Sequence, residues 1–239
     1  MKNIALIFAG GVGRRMNSKG KPKQFLEIHG KPVIIHTIEH FENHPDIDEI
    51  CVVSVAEWLD YLKGLLRKFG ISKVKWVVPG GETALDSQFK GLNAVNNSGE
   101  DAIILIHDGV RPLINEKTIT DCIDSVKKYG SAITVAPATE TIVRQDDNNN
   151  ITATIARSEC MLARAPQCFK LKDIMSVHIQ ALNEQNHDFI DSTSMMLHYG
   201  YSVHTVQGPS ENIKVTTPAD FYICRALLDA REESQIYGL

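Results

Sequence analysis

The stretch "IALIFAGGVGRRMNSKGKPKQF", residues 4–25, decides how the fold begins. Its first five residues are a continuous apolar run, which is typical of a strand buried on both faces of a parallel sheet. Glycines and basic residues follow, and this order suits an anion, because glycine lets the backbone approach closely and arginine neutralises phosphate. The stretch therefore predicts a buried strand leading into a polyphosphate-binding loop. The candidate residues are Ala9, Gly10, Gly11, Gly13, Arg14, Arg15 and Lys23.

The familiar phosphate-binding fingerprints do not fit this loop. The P-loop pattern GxxxxGK[ST] is absent, and Met16 stands where a dinucleotide fingerprint needs its third glycine. Glycines alone would indicate only a tight turn between a strand and a helix, and the nearby Arg14, Arg15 and Lys23 favour the phosphate interpretation. Lys19 and Lys21 are expected to line the loop and face water.

Apolar runs alternate with helical periodicity along most of the chain. Strands that alternate with helices predict an α/β fold with a doubly wound, mostly parallel sheet, here as one domain spanning residues 1–239. The expected strands are "IALIF", "EICVVSV", "KVKWVVPGG", "AIILIH", "SAITVAP", "YSVHTVQG" and "NIKVTT". The expected helices are "VIIHTIEHFENH", "WLDYLKGLLRKFG", "LDSQFKGLNAV", "NEKTITDCIDSVKKYG", "KDIMSVHIQALNEQ", "STSMMLHYG" and one begun by Pro218.

Residues 138–157 interrupt this alternation. Two short β-branched runs flank a polar Asp-Asp-Asn-Asn-Asn turn, a pattern that predicts a β-hairpin leaving the body of the sheet. The hairpin is either a decoration or a dimerisation arm. An arm is favoured, because an isolated two-stranded hairpin is marginally stable in water without a partner.

Composition excludes several classes of protein. The formal net charge is −4, so a general nucleic-acid or membrane-surface binder is not expected. The start of the chain does not resemble a signal peptide, and no apolar run approaches a membrane span. The cysteines are scattered and odd in number, which indicates reduced thiols and a cytoplasmic protein rather than a disulfide frame or a zinc site. They are Cys51, Cys122, Cys160, Cys168 and Cys224.

Three further segments carry candidate binding residues. In "HDGVRP", residues 107–112, Asp108 ends the most apolar strand; it is a natural Mg²⁺ ligand beside phosphate, or else a local partner of Arg111. In "GGETALDS", residues 80–87, a second Gly-Gly pair could receive a nucleobase or form a plain turn. In "GPSENIKVTTPADF", residues 208–221, Lys214 is expected within a short strand, facing a phosphate or water. Arg157, at the base of the hairpin, could reach a phosphate across a dimer interface.

As a set, these motifs resemble one known family. "AGGVGRRM", "KPKQF", "VVPGG", "IHDGVRPLI", "TIV", "APQCF" and "ENIKVTTPADF" occur in the order seen in cytidylyltransferases of the 2-C-methyl-D-erythritol 4-phosphate and ribitol-5-phosphate type. The similarity covers nearly the whole chain. It implies a Rossmann-like domain with a protruding β-arm that builds a homodimer. The implied reaction joins CTP and a polyol phosphate into a CDP-polyol and pyrophosphate, with Mg²⁺.

The resemblance also implies roles for individual residues. Ala9, Gly10, Gly11, Gly13 and Arg14 correspond to the triphosphate loop, and Arg15, Lys23 and Lys214 to the groups that stabilise the transferred charge. Gly81, Glu82, Ser87 and Gly109 fall in the nucleotide site. Asp108 corresponds to the residue that contacts the metal and the substrate. Arg157 of the partner subunit corresponds to the residue that holds the substrate phosphate. Ala165, Ile190 and Asp191 fall on the polyol side.

Three positions depart from the methylerythritol enzymes. Ala84 replaces a usual arginine, and Ala165 and Ile190 replace threonines. Loss of two hydroxyls on the polyol side changes specificity for a polyhydroxy substrate and argues against methylerythritol phosphate. The segments "PKQFLE", "HTIEHF", "VRP" and "TIV" resemble the ribitol-phosphate members, so ribitol 5-phosphate, or a related pentitol or pentulose phosphate for capsule or teichoic acid, is preferred. Two alternatives remain: the methylerythritol phosphate enzyme of isoprenoid synthesis, and a nucleotide-binding relative without catalysis, for which Ala84 is the support.

Overall fold

The structure is a computed structural model that describes residues 1–10, 20–99 and 101–237. Within these ranges eleven strands and seven helices follow one another along the chain. The strands are β1 (Lys2–Ala9), β2 (Glu27–Ile28), β3 (Lys31–Pro32), β4 (Glu49–Ser54), β5 (Val74–Pro79), β6 (Ala102–Asp108), β7 (Ser131–Pro137), β8 (Ile142–Gln145), β9 (Ile151–Ile155), β10 (Met161–Lys170) and β11 (Thr205–Gln207). The helices are α1 (Val33–Glu42), α2 (Leu59–Lys68), α3 (Ala84–Asn96), α4 (Glu116–Tyr129), α5 (Leu171–Asn183), α6 (Ser192–His198) and α7 (Pro218–Tyr237).

Seven of the described strands form one sheet in the order β11-β7-β10-β6-β1-β4-β5. All neighbours are parallel except β10, which runs antiparallel to both β6 and β7. Helices cover both faces, with α1, α2 and α4 packed on one side and α3, α5 and α6 on the other. The predicted doubly wound, mostly parallel α/β fold is therefore confirmed.

The central strands are buried on both faces because their side chains are apolar in both directions. Every residue of β6 is buried, and so are Ile4–Ile7 of β1. In register, Phe8 lies opposite Asp108, and Ala9 lies opposite Ser54. The carboxyl ends of β1, β4 and β6 thus meet at one edge, where open parallel sheets bind ligands.

Local capping signals mark both ends of α4. The side chain of Asn115 accepts a hydrogen bond from the backbone N–H of Thr118 (2.9 Å) at the start of α4. Gly130 ends that helix with a φ of 88°, in the left-handed region that favours glycine. Among the helices that the structure describes, none has the length and apolar character needed to cross a membrane.

Several elements differ from the sequence prediction. Strand β10, "MLARAPQCFK", was not predicted, because an arginine, a proline and a glutamine break its apolar pattern. The predicted strand "NIKVTT" is wrong: the segment around Lys214 joins no sheet, since Val215 donates its backbone N–H to the loop carbonyl of Val110 (2.9 Å). The strand expected in "YSVHTVQG" is present but shorter. The predicted hairpin is present as β8 and β9.

Candidate active site

Two adjoining cavities open at the carboxyl edge of the sheet. The first has a volume of about 250 Å³ and lies between the end of β1, the start of α3 and the short 3-10 turn Lys23–Phe25. The second has a volume of about 310 Å³ and lies beside β10 and the loop before α6. Both cavities are lined by Phe8, Ala84, Asp108 and Lys214. These four residues mark the boundary at which two bound molecules could meet.

The loop before α3 closes one side of the first cavity. Thr83 caps the helix by accepting the backbone N–H of Asp86 (3.0 Å), and Asp86 in turn accepts the N–H of Thr83 (3.1 Å). The buried Ser87 hydroxyl accepts the N–H of Gly81 (3.0 Å). A Cβ on Gly81 would collide with the Cβ of Asp86, so the turn requires glycine. Ser87 therefore shapes the loop before α3 through its own hydrogen bonds.

Lys23 reaches the first cavity from a short 3-10 turn, Lys23–Phe25. The fully buried Phe25 holds this turn by stacking on Trp58, with ring centroids 5.1 Å apart. The buried Gln24 donates its side-chain N–H to the carbonyl of Ala9 (2.6 Å), which ties the turn to the end of β1. Lys23 is thereby fixed beside the start of the predicted phosphate loop.

Asp108 lies at the boundary between the cavities and contacts two cations. Its Oδ1 is 2.6 Å from Lys214 Nζ, and its Oδ2 is 2.7 Å from Arg111 Nε. Burial raises the pKa of this carboxyl, but Lys214 and Arg111 outweigh burial and lower its pKa to about 2. Asp108 is therefore ionised at neutral pH. The predicted local pair with Arg111 exists, together with a second pair that sequence reasoning did not foresee.

Lys214 is carried by an extended segment outside the sheet. Arg111 Nη1 donates to the carbonyl of Asn212 (2.9 Å), and Asn212 Nδ2 donates to the carbonyl of Ala165 (2.8 Å). These bonds join the loop after β6, the segment before α7 and strand β10. The Lys214 side chain is 42% exposed, so its ammonium is accessible to an anion that enters either cavity.

The second cavity contains the three residues predicted on the polyol side. Ala165 is buried, whereas Ile190 is 94% exposed at the cavity mouth. Asp191 uses its carboxylate structurally: Oδ1 accepts the N–H of Ser194 (2.8 Å) as the N-cap of α6, and Oδ2 accepts Gln167 Nε2 (2.7 Å). Ala165 and Ile190 thus offer this cavity no hydroxyl group.

The structure brings most of the predicted residues together. Eight of them line the first cavity: Ala9, Gly10, Lys23, Gly81, Glu82, Ser87, Asp108 and Lys214. Gly109 lines neither cavity; its N–H donates to the Phe8 carbonyl (2.9 Å), and it lets β6 pack closely on Ala9. Arg157 lies at the base of the hairpin, where its Nη1 donates to the Thr139 carbonyl (2.9 Å). Gly11, Gly13, Arg14, Arg15 and Lys19 lie outside the described residues.

Sequence reasoning missed several residues that shape the site. Gln24, Thr83, Gln88 and Arg164 line one cavity or the other, and none was singled out. The Thr83-x-x-Asp86 spacing is a capping-box signal that could have fixed the start of α3. Arg164 gave no local signal, because its strand was not predicted.

A larger cavity of about 360 Å³ lies elsewhere, between α1 and α7. Its histidines His36 and His40 are hydrogen-bonded to the carbonyls of Ile28 (3.0 Å) and Pro112 (2.9 Å). Burial lowers the pKa of both side chains. The cavity is lined mainly by helix sides rather than strand ends. His36 supports β2 and His40 supports the loop after β6, and neither lines the two cavities at the sheet edge.

The donor set of the first cavity fits a metal ion bound together with phosphates. Glu82 and Asp108 are the carboxylates that line it, and Mg²⁺ commonly takes one or two carboxylates plus phosphate oxygens. Within the described residues, no group of three or more histidine, cysteine or acidic side chains could hold a metal by itself. The arrangement is thus suited to a metal that arrives with a nucleotide.

Fold and site together define a class: a doubly wound α/β protein whose candidate ligand site is a pair of adjoining cavities at the carboxyl ends of its parallel strands. The family model IspD, 2-C-methyl-D-erythritol 4-phosphate cytidylyltransferase, matches residues 3–230. The chain therefore belongs to the IspD family of cytidylyltransferases, as the sequence motifs indicated, and it is a nucleotidyltransferase.

Individual relatives refine this assignment. The chain is 54% identical over 240 aligned positions to the ribitol-5-phosphate cytidylyltransferase of Streptococcus agalactiae serotype V, with 100% of each chain covered. It is 35% identical over 228 residues to the 2-C-methyl-D-erythritol 4-phosphate cytidylyltransferase of Clostridium botulinum, with 95% of this chain and 98% of the relative covered. The crystal structure of 4-diphosphocytidyl-2C-methyl-D-erythritol synthase from Anaerococcus prevotii superposes with a TM-score of 0.83 at 28% identity, covering 95% of this chain and 96% of that one.

Proposed function

We propose that this cytidylyltransferase transfers CMP from CTP to ribitol 5-phosphate, or to a closely related pentitol or pentulose phosphate, and releases pyrophosphate. One observation carries the proposal: the two cavities share Asp108 and Lys214, so a nucleotide in the first and a polyol phosphate in the second would meet there. The relative with the ribitol-5-phosphate name is also more similar to this chain than the methylerythritol relative.

The first cavity would hold CTP. The backbone at Ala9 and Gly10, continued by Gly11, Gly13, Arg14 and Arg15, would cradle the triphosphate. The loop at Gly81, Glu82 and Ser87 would border the cytosine, and Gly109 would support the cavity indirectly by packing the end of β6 against Ala9. This orientation puts the α-phosphate at the boundary of the cavities, next to Lys23 and Lys214.

The chemical step needs charge stabilisation more than a base. An oxygen of the substrate phosphate is already an anion; it forms a bond to the α-phosphorus of CTP while the bond from that phosphorus to the bridging oxygen breaks. Pyrophosphate leaves with the electron pair. Repulsion between the phosphates is the obstacle, and Arg15, Lys23 and Lys214 would lower it by positioning and by neutralising charge. The Lys214 ammonium would then move from the Asp108 carboxylate to the reacting phosphate.

We further propose Mg²⁺ as the cofactor, with Asp108 as its protein ligand. When bound, the ion would neutralise triphosphate oxygens and favour the departure of pyrophosphate. Because both carboxylate oxygens of Asp108 contact cations in the described structure, the ion would enter as the nucleotide draws Lys214 away.

The polyol side supports a substrate other than methylerythritol phosphate. Ala165 and Ile190 present methyl-bearing side chains, and a site built to bind a hydroxyl discriminates strongly when its partner group is missing. Methylerythritol phosphate remains the second candidate, favoured by the family model. If methylerythritol phosphate were the only substrate turned over, the ribitol proposal would be wrong, and the protein would still be a cytidylyltransferase.

A homodimer through the hairpin is the proposed assembly. Val143, Ile151, Met161 and Leu162 on the hairpin and its base are 41–68% exposed in one chain, an apolar surface that a second copy would cover. Arg157 lies on this arm and would serve the partner's second cavity. The described cysteines are all free, which suits the reducing cytoplasm as the location.

A pyrophosphate-release assay tests the proposal. The enzyme is mixed with CTP, Mg²⁺ and, in separate reactions, ribitol 5-phosphate, ribulose 5-phosphate, xylitol 5-phosphate and methylerythritol 4-phosphate. We expect the highest kcat/KM with a five-carbon polyol phosphate. CTP binding in a calorimeter without turnover of any acceptor would instead favour the non-catalytic relative.

A further inference from the structure

Strand β10 has an irregularity that places Arg164 at the second cavity. Its register against β7 shifts between Ala163 and Gln167, so residues 164–166 are a bulge. Bulges beside active sites commonly redirect a side chain. The Pro166 carbonyl is held by the hydroxyl of Thr134 (2.9 Å), and the Ala165 carbonyl is held by Asn212, which fixes the bulge. Arg164 lines the second cavity from this bulge, and it does not line the first.

One nitrogen of the Arg164 guanidinium is buried without a partner. Its Nε is shielded from solvent and forms no hydrogen bond with any residue that the structure describes. Burial and, secondarily, the positive charge of Arg111 lower its pKa. A buried donor without an acceptor costs stability, so its retention at a cavity wall indicates a bound acceptor.

The other charged groups of this cavity are already engaged. Asp108 contacts Lys214 and Arg111, and Asp191 caps α6 and accepts a hydrogen bond from Gln167. Of the described cations that line this cavity, Arg111 and Lys214 pair with Asp108, and Arg164 is the one with a buried nitrogen that lacks a partner among the described residues. Arg164 lines the second cavity and not the first, so it lies on the acceptor side of the shared boundary.

We propose, on the basis of the proposed function, that Arg164 is a specificity-determining residue whose guanidinium donates hydrogen bonds to hydroxyl oxygens of the polyol chain. Ala165 and Ile190, its neighbours at the cavity, provide no hydroxyl of their own. The guanidinium has five N–H donors in a planar fork, a geometry that matches two adjacent hydroxyl oxygens. The N–H groups of Arg164 thus take over the hydrogen bonds to the polyol that side-chain hydroxyls at Ala165 and Ile190 would otherwise form.

Steady-state kinetics of Arg164→Met tests this role, with Arg67→Met on the exposed face of α2 as the matched control. We expect the KM for ribitol 5-phosphate to rise on the order of 10- to 100-fold, which corresponds to the loss of hydrogen bonds to a charged group. The KM for CTP should change less than about twofold, and the control should match the wild type. Arg164→Lys should recover only part of the loss, because it restores the charge without the fork. An unchanged KM in Arg164→Met would overturn the proposal.

Glycerol 3-phosphate separates hydroxyl recognition from phosphate recognition, since it keeps the phosphate and lacks the distal hydroxyls. Its Ki as an inhibitor should be nearly the same in the wild type and Arg164→Met, while the KM for ribitol 5-phosphate differs. An equal loss for both compounds would mean that Arg164 holds the phosphate, which contradicts the proposal.

A binding measurement keeps this inference distinct from the proposed function. If the wild type turns over no polyol phosphate, the proposed function fails, and calorimetry of ribitol 5-phosphate added to the complex with α,β-methylene CTP decides about Arg164. Weaker binding to Arg164→Met than to the wild type would support the role. Equal affinity, or no binding to either protein, would overturn it.

Discussion

Lys214 Nζ lies 2.6 Å from Asp108 Oδ1, although the two residues come from separate segments that no strand pairing joins. Arg111 Nε contacts the other oxygen of the same carboxylate at 2.7 Å. One buried anion thus balances two cations at the boundary of the two cavities. An incoming phosphate can attract Lys214 and leave Asp108 available to a metal, so nucleotide binding and metal binding should be coupled.

Metal binding should therefore depend on CTP. The concentration of free Mn²⁺ can be measured by electron paramagnetic resonance. Adding protein alone should lower it little, whereas adding protein together with CTP should lower it much more than CTP alone does. Asp108→Asn should weaken Mn²⁺ binding to the CTP complex by at least about tenfold. Glu82→Gln, at the other acidic position lining the first cavity, is the matched control and should have a smaller effect. Tight Mn²⁺ binding without CTP would contradict the coupling.

Lys23 should be needed for transfer and dispensable for folding. Lys23→Ala is expected to lower kcat by about 10²- to 10³-fold, the usual cost of losing one group that stabilises transition-state charge. Lys21→Ala is the matched control, because Lys21 lies two residues away, pairs with Glu27 (3.3 Å) and does not line the cavity. Thermal unfolding should be similar in both variants. A near-normal kcat for Lys23→Ala would refute the assigned role.

Arg157 should act in the neighbouring subunit. In the proposed homodimer, the Arg157→Ala and Lys23→Ala variants should each be nearly inactive with the preferred acceptor. A mixed dimer contains one site with both residues intact, so mixing the two variants should restore up to about a quarter of the wild-type activity at equal ratios if chains pair at random. The measurement is pyrophosphate release after subunit exchange has been verified by mass spectrometry. Absence of rescue in verified mixed dimers would place Arg157 outside the partner's site.

The sequence predicts the parts of the fold whose cause is local. Strand β6 is apolar at almost every position, and Asn115 and Gly130 carry their own capping signals, so these elements form where expected. Strand β10 could not be predicted in this way, because its stability comes from β6 and β7 on either side rather than from its own pattern.

The same distinction applies to the candidate site. Asp108 was predictable because strand ends of parallel sheets meet at the ligand crevice. Its contact with Lys214 was not predictable from spacing, since it depends on how the segment before α7 crosses the loop at Val110. Arg164 is recognisable only once the bulge and both cavities are known.

Gly81 should be required for the nucleotide loop. Gly81→Ala places a Cβ against Asp86, so the capping box or the loop must shift, and we expect the KM for CTP to rise about tenfold or more together with lower stability. Gly64→Ala in α2 is the matched control: its Cβ would meet nothing within 4 Å, and alanine in a helix should stabilise the protein by about 0.5–1 kcal/mol. CTP titration and chemical denaturation measure both effects. An unchanged KM in Gly81→Ala would show that the loop tolerates the shift.

His178 should make the free energy of unfolding depend on pH. This side chain is 3% exposed with its Nε2 unpartnered among the described residues, and burial lowers its pKa from 6.5 to about 4. Between these values the unfolded chain binds a proton on His178 that the folded chain does not, so the free energy of unfolding falls as the pH falls from 6.5 to 4.

Replacing His178 should therefore flatten this pH dependence. His178→Gln cannot take up the proton, so the slope of the free energy of unfolding should decrease by up to about 1.4 kcal/mol per pH unit between pH 6.5 and 4. His187→Gln, at an exposed histidine nearby, is the matched control and should leave the slope close to that of the wild type. Urea denaturation at pH 7, 6, 5 and 4.5 measures the slopes. Because the comparison uses slopes, a constant loss of stability caused by glutamine does not affect it, and parallel curves for His178→Gln and the wild type would contradict the assignment.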